Sequence, residues 1–329
     1  MDLQQGASPI LVHTLEMGKL WRVARVSFVL GGLVTAGSFG LAQASAPRHL
    51  PDQALSPWKR AVGLAAHLAP EARILVVDID SGSLLGSSQL TGATATLATP
   101  GSTLKPLILY FALRSGRWAP ERRVVCSRQL HLGGHQLNCS HPVTDPMNAT
   151  QALSWSCNSY FAELAGTLSP VELRQALSVR GLLAATGLAP AESVAAFREP
   201  RTREQVQLAA LGVEGIRVTL AELAEAYRSL AIELGDHEKD QAAEVVRAGL
   251  ADSASFGMAG AASLGGVPVA GKTGTASAES GGATHGWFVG FAPVESPRVV
   301  VAVYLPSGRG SDAAQVAASV LAASTMRKP

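Results

Sequence analysis

Arg73-Ile74-Leu75-Val76-Val77-Asp78-Ile79-Asp80, then Ser81-Gly82-Ser83, then Leu84-Leu85-Gly86-Ser87-Ser88, reads as a strand, a tight turn and a second strand. Its counterparts lie at the far end of the chain. Residues 267–271, 287–292 and 298–305 are further runs of strand length. Between them, from Gly101 to about Ser253, the pattern is helical and broken by glycine and proline. Leu220, Leu223, Ala224, Tyr227 and Leu230 mark one amphipathic helix over 218–234. Ser56-Pro57 opens a helix through Leu68, with Trp58, Val62, Ala65 and Ala66 on one face. A last helix over 311–326 carries Val316, Val320 and Leu321 as its stripe. Strands at both ends around a helical middle predict an α+β fold. It would be an antiparallel sheet of about five strands, flanked by the N- and C-terminal helices, with a mostly helical inserted subdomain.

Composition narrows the class. The 329 residues are 47% apolar and 16% charged, with a net charge of +2. That much apolar content excludes a disordered chain. The charge balance, with no basic block, excludes nucleic acid as the main partner. Near the start, Lys19, Arg22 and Arg25 precede an uncharged apolar run over 26–41, and Ala42-Gln43-Ala44 follows as a signal-peptidase site. The run would make about 24 Å of helix, short of the roughly 30 Å a bilayer core requires. A cleaved signal peptide and a retained membrane anchor both fit residues 1–44, and a buried core helix is the third reading. Positive charge before the run sends the rest of the chain outward. The expected location is therefore the outer face of the cytoplasmic membrane or the periplasm, with membrane contact through the N-terminus if the signal stays. Residues 45–57, with Pro47, Pro51 and Pro57, read as a linker, and 58–329 as one domain.

Three short motifs carry chemistry. In Pro100-Gly101-Ser102-Thr103-Leu104-Lys105-Pro106, Ser102 and Lys105 sit three apart at a helix start and share a face. A serine hydroxyl needs a base to become a nucleophile, and a lysine whose charge is suppressed by burial can supply one. In Ser154-Trp155-Ser156-Cys157-Asn158, Ser156 and Asn158 would face one way in an extended turn, as proton relay and substrate-carbonyl donor. In Ala270-Gly271-Lys272-Thr273-Gly274-Thr275, Lys272 supplies positive charge and Thr273 and Thr275 supply hydroxyls for an anion. Gly274 shares strand parity with Lys272 and leaves room for a substrate backbone. A phosphate-loop reading of the last motif fails because no helix pattern follows Thr273. Each motif alone is as well explained by a capped helix, a polar loop or a strand end.

Together, and in this order, they form the S-x-x-K, S-x-N and K-T-G set, and the chain resembles the transpeptidase domain of penicillin-binding proteins, in the serine β-lactamase superfamily. The likeness extends beyond the set. The 73–88 hairpin, Ser156-Cys157-Asn158-Ser159-Tyr160-Phe161 and the stretch Ile216-Arg217-Val218-Thr219 into Leu223-Ala224 resemble family segments, and residues 269–276 and 285–293 resemble its paired sheet strands. Leu220 departs from the family's usual proline, and the interval between the second and third motifs is short. The resemblance implies Ser102 as the acylated nucleophile, Lys105 as its base and Ser156 as the proton relay. It implies Asn158 on the acyl-side amide, and Lys272, Thr273, Gly274 and Thr275 around the terminal carboxylate. The N–H groups of Ser102 and Thr275 would form the oxyanion hole. No cofactor and no metal is implied. The partners implied are peptidoglycan stem peptides, β-lactam antibiotics and a glycan polymerase.

The expected activity is a D,D-transpeptidase. A D,D-carboxypeptidase is the nearest alternative, ahead of a β-lactamase or a non-catalytic β-lactam sensor. No asparagine follows Asn158, so the E-x-x-x-N pattern of class A β-lactamases is absent. Cys126, His131, His135, Cys139 and His141 crowd together but match no standard zinc spacing. In an exported chain a Cys126–Cys139 disulfide is favoured over a metal site, with two free thiols as the third reading. Cys157 reads as small buried packing, Trp287, Phe288 and Phe291 as core, and His285 as a loop residue without a role.

Overall fold

The computed structural model describes residues 56–142, 145–236, 240–277 and 283–325. The signal or anchor over 1–44 and nearly all of the 45–57 linker lie outside the described residues. Among the described residues no helix is long and apolar enough to cross a membrane.

Helix α1 (Pro57–Leu68) starts where Ser56 accepts from the Lys59 amide and Pro57 occupies the first helical position. Strands β1 (Arg73–Asp78) and β2 (Leu84–Ser88) form the expected hairpin. The Asp78 carboxylate accepts from the amide and hydroxyl of Ser81, which closes the turn and ends the strand two residues earlier than the apolar run suggested. Helix α2 (Leu90–Ala95) and a 3₁₀ turn (Gly101–Leu104) lead into α3 (Lys105–Arg114). A small hairpin, β3 (Gln129–Leu132) and β4 (His135–Asn138), precedes α4 (Ala149–Ser154), α5 (Asn158–Ala165) and α6 (Pro170–Ser178). Strands β5 (Ala196–Phe197) and β6 (Ile216–Arg217) pair with each other around α7 (Arg203–Ala210). Then come α8 (Leu220–Asp236), α9 (Gln241–Ser255), a second 3₁₀ turn (Gly260–Gly265), β7 (Ala270–Ser277), β8 (Thr284–Ala292), β9 (Val299–Leu305) and α10 (Gly310–Thr325).

The main sheet has the order β2-β1-β9-β8-β7, and every pairing is antiparallel. The α+β expectation holds. Side-chain alternation splits the sheet's apolar residues between two cores. Ile74, Val76, Phe288, Val301, Val303 and Leu305 pack with Val62 and Ala65 of α1 and Ala314, Ala317 and Val320 of α10. Leu75, Val77, Trp287, Val289, Phe291 and Val300 face Leu223, Tyr227 and Leu230 of α8 and the helical subdomain beyond. Because both faces are covered, these strands read as continuous apolar runs. Helix α8 starts at Leu220 without a proline because Thr219 and the buried Glu222 cap each other's amides.

The last part of the sheet departs from expectation. The apolar run alone puts the third strand at 267–271, whereas the family resemblance puts it at 269–276; β7 runs Ala270–Ser277 and pairs with β8 over its whole length, Ala270 opposite Phe291 to Ser277 opposite Thr284. Strand β8 in turn begins at Thr284, three residues before the start that the apolar run suggests and one before the start that the resemblance implies. The polar Lys272-Thr273-Gly274-Thr275 stretch and the His285-Gly286 pair have low strand propensity. They are held extended by the ladder and by the tertiary contacts described next.

Candidate active site

The first motif is a clamped turn. Gly101 has φ +56°, and its amide donates to Gly212 O at 3.0 Å. Trp287 Nε1 donates to Thr99 O at 2.9 Å, and His285 Nε2 lies 2.8 Å from the same carbonyl. The buried Tyr227 hydroxyl donates to Thr103 O at 2.8 Å. The backbone on both sides of Ser102 is thus pinned by β8, by the loop after α7 and by α8. Sequence reasoning missed His285 as part of this clamp: it is a buried strand residue, 4% exposed, whose pKa burial lowers against the opposing bond to Thr99. The available signal was an imidazole and an indole inside an apolar run, since such polar tips need buried acceptors.

Lys105 is fully buried, and its Nζ is the junction of the first two motifs. It lies 2.7 Å from Ser156 O, 3.2 Å from Ser156 Oγ and 2.7 Å from Asn158 Oδ1. Burial lowers its pKa to about 8, while the sulfurs of Cys157, Cys139 and Cys126 act the other way. Three acceptors suit the three protons of the ammonium form. In the neutral amine the lone pair can accept from the Ser156 hydroxyl, which both donates and accepts.

Ser156 is not in an extended turn as expected. It has φ +56°, a left-handed conformation that side chains other than glycine rarely adopt. The cause is the end of α4: Ser156 N donates to Leu153 O and Cys157 N to Ala152 O, a Schellman closure. The turn aims the Ser156 side chain at Lys105. Cys157 then caps α5, whose first residue is Asn158. Asn158 directs its carbonyl oxygen to Lys105 and donates from Nδ2 to Asn138 O of the small hairpin. The second amide proton is left for another acceptor.

The third motif lies on β7, an edge strand of the sheet. Lys272 is fully buried, with Nζ 3.1 Å from Thr273 O, and burial followed by the neighbouring Lys105 charge pushes its pKa well below the usual value. Thr273 turns its hydroxyl to Met258 O, and Thr275 is exposed, its hydroxyl accepting from Gly310 N. The space beside Gly274 is filled by the Pro100-Gly101-Ser102 turn. A Cβ there would stand 2.5 Å from Pro100 O. A Cβ on Gly101 would in turn stand 3.0 Å from Thr275 O, so the Ser102 turn and Thr275 lie backbone to backbone.

A cleft of about 1000 Å³ opens over this arrangement. Ser102, Gln136, Asn158, Arg198, Arg217 and Thr275 are among the residues that line it. Lys105 and Lys272 are buried and do not line it. The structure thus brings together Ser102, Lys105, Ser156, Asn158, Lys272 and Thr275, and turns the Thr273 hydroxyl elsewhere.

The cysteines differ from expectation. Cys126 and Cys139 are free buried thiols rather than a disulfide, and Cys157 is more than isolated packing. Ligand atoms of Cys126, Cys139, His141 and Cys157 all lie within 4.8 Å of one another. His131 and His135 are not in the group; His135 instead lies 3.2 Å from Glu214.

Comparison with known proteins adds the family. The family described as penicillin binding protein transpeptidase domain matches residues 41–326. Two solved structures are similar. One is a peptidoglycan glycosyltransferase from Burkholderia ambifaria, with TM-score 0.69 and 23% identity over 82% of this chain and 92% of that one. The other is the transpeptidase domain of Burkholderia pseudomallei penicillin-binding protein 3, with TM-score 0.69 and 24% identity over 82% of this chain and 91% of that one. At these identities the likeness is one of fold.

Proposed function

This chain belongs to the penicillin-binding protein transpeptidase family, and on that premise we propose that it is a serine D,D-transpeptidase acting through Ser102 on D-Ala-D-Ala stem peptides. The observation that carries the proposal is the junction at Lys105. One buried amine on the helix that follows Ser102 meets both Ser156 and Asn158.

The neutral Lys105 amine takes the Ser102 proton as Oγ attacks the carbonyl between the two terminal D-alanines. The amides of Ser102, on its clamped turn, and of Thr275, on β7, receive the developing oxyanion. Ser156 passes a proton from Lys105 to the leaving D-alanine nitrogen. Asn158 holds the acyl-side amide with its remaining Nδ2 proton. The terminal carboxylate lies against Thr275 and draws on the positive charge of Lys272. Thr273 and Gly274 act by shaping the strand. The acyl group on Ser102 then passes to the amine of a neighbouring stem peptide. A β-lactam acylates the same serine and stays. The family works on the cell envelope; export through the N-terminus and contact with a glycan polymerase fit this reading.

The test is incubation with a pentapeptide-bearing glycan strand and excess D-amino acid. Cross-linked dimers or D-amino-acid exchange are expected to dominate. Tetrapeptide and free D-alanine alone, at every amine concentration, would replace this reading with a D,D-carboxypeptidase, to which the short interval between the second and third motifs also points.

A further inference from the structure

Three thiols and an imidazole converge beside the Ser156–Asn158 turn. Cys126 precedes β3, Cys139 and His141 follow β4, and Cys157 lies between Ser156 and Asn158. All four residues are buried, at 7%, 9%, 1% and 0% exposure. Their ligand atoms fall within 4.8 Å of one another. We propose that Cys126, Cys139, His141 and Cys157 bind one zinc ion as a closed Cys₃His site that ties the β3–β4 hairpin to the Ser156–Asn158 turn.

Geometry supports this first. Zinc–sulfur bonds of about 2.3 Å and zinc–nitrogen bonds of about 2.0 Å place tetrahedral ligands roughly 3.5–3.8 Å apart. The widest pair here, at up to 4.8 Å, needs to close by about 1.3 Å at most. Stoichiometry supports it next. A disulfide uses two sulfurs and leaves a third, with an imidazole, against the new bond. One tetrahedral ion uses all four groups. The donor set supports it third: three soft sulfurs and one imidazole select zinc over hard cations, and four protein ligands leave no open position for catalysis. The sulfurs also have the hydrogen bonds that metal thiolates receive. Arg128 N donates to Cys126 Sγ at 3.3 Å, Ser159 Oγ to the same sulfur at 3.8 Å, and Asn158 N to Cys139 Sγ at 3.2 Å. Arg128 also donates to the His141 carbonyl, which orients the segment carrying the ring.

The ion's role is positioning. Binding releases the thiol protons and fixes three separate segments at one point. Cys157 is flanked by the two residues that meet Lys105, so fixing it fixes the left-handed Ser156 and the start of α5. Fixing Cys126, Cys139 and His141 anchors the base of the hairpin whose His135, Gln136 and Leu137 line the cleft. The ligands come from three segments with twelve, one and fifteen residues between them, which is why no short zinc pattern shows in the sequence.

The test uses the full chain, produced in zinc-containing medium and purified without chelator. Metal is measured by inductively coupled plasma mass spectrometry. The ion is then exchanged for cobalt and the absorption spectrum recorded. About one zinc per chain is expected, with the sulfur-to-cobalt charge-transfer and intense d–d bands of a tetrahedral thiolate site. Cys126→Ser and His141→Ala should lower the zinc content at least tenfold or shift those bands. A folded, metal-free chain that takes up no cobalt would overturn the proposal. So would an intact mass showing a Cys126–Cys139 disulfide, or a cobalt spectrum without thiolate bands. The wild-type measurements stand even if a variant does not fold, and neither readout depends on the reaction at Ser102.

Discussion

At the scale of single residues, two side chains are set by conflict with their surroundings. Lys105 is a cation in a buried place, and burial brings its pKa to about 8 from an ordinary 10.5. The base form is the neutral amine, so it accumulates as pH rises through that value. The rate of acylation by a penicillin is therefore expected to rise with pH and level off above about 8. A rate that keeps climbing toward 10, as for an unburied lysine, would remove Lys105 as the base. Ser156 is a side chain in a glycine conformation. Replacing it with glycine relieves the left-handed backbone, a strain of about 1–2 kcal/mol, offset in part by the freer unfolded chain. Ser156→Gly should thus melt no lower than wild type while acylation falls by about 10²-fold or more, the scale of a lost proton relay. Parallel losses of stability and rate would make the hydroxyl structural. The residue types of both motifs were legible in the sequence. The left-handed turn was not, because a Schellman closure on serine carries no pattern of its own.

At the scale of elements, the site depends on how closely β7 approaches the Ser102 turn. Gly274 is the contact, and Pro100 O, a backbone atom, cannot rotate away. Gly274→Ala is expected to cost about 1–3 kcal/mol in a denaturant titration, the usual range for overpacking, and to slow acylation by displacing the turn. Gly63 in α1 is the control: a Cβ there meets nothing within 4 Å. Gly63→Ala should stabilise by up to about 1 kcal/mol through helix propensity and leave acylation unchanged. If Gly274→Ala also behaves as a surface change, the close approach is not what the motif glycine serves. The first hairpin, α1 and the ends of the sheet were legible because apolar period and turn chemistry agree there. The apolar pattern alone starts β7 early at Val267 and stops it at Gly271, and starts β8 late, because the apolar residues of 267–269 precede the strand and the lysine, threonine, histidine and glycine within the strands break the pattern; the motif resemblance recovers both. Cys126, Cys139 and His141 are close in the sequence but match no standard zinc spacing, and only the fold brings Cys157 to them.

At the scale of the molecule, a sheet covered on both faces holds one edge strand against a helical subdomain, and the cleft runs along that contact. Family membership and this architecture account for one another. The helical subdomain supplies Ser156 and Asn158, the sheet supplies Lys272 and Thr275, and the turn carrying Ser102 is clamped between them. The central claim is that this junction makes Ser102 a nucleophile. It is tested most directly by incubating the purified chain with benzylpenicillin and locating the adduct by mass spectrometry of intact protein and peptides. One penicilloyl group per chain, on the peptide containing Ser102 and absent from folded Ser102→Ala, is the predicted result. A folded wild-type chain that takes up no penicillin, or a Ser102→Ala chain labelled to the wild-type level, would contradict it.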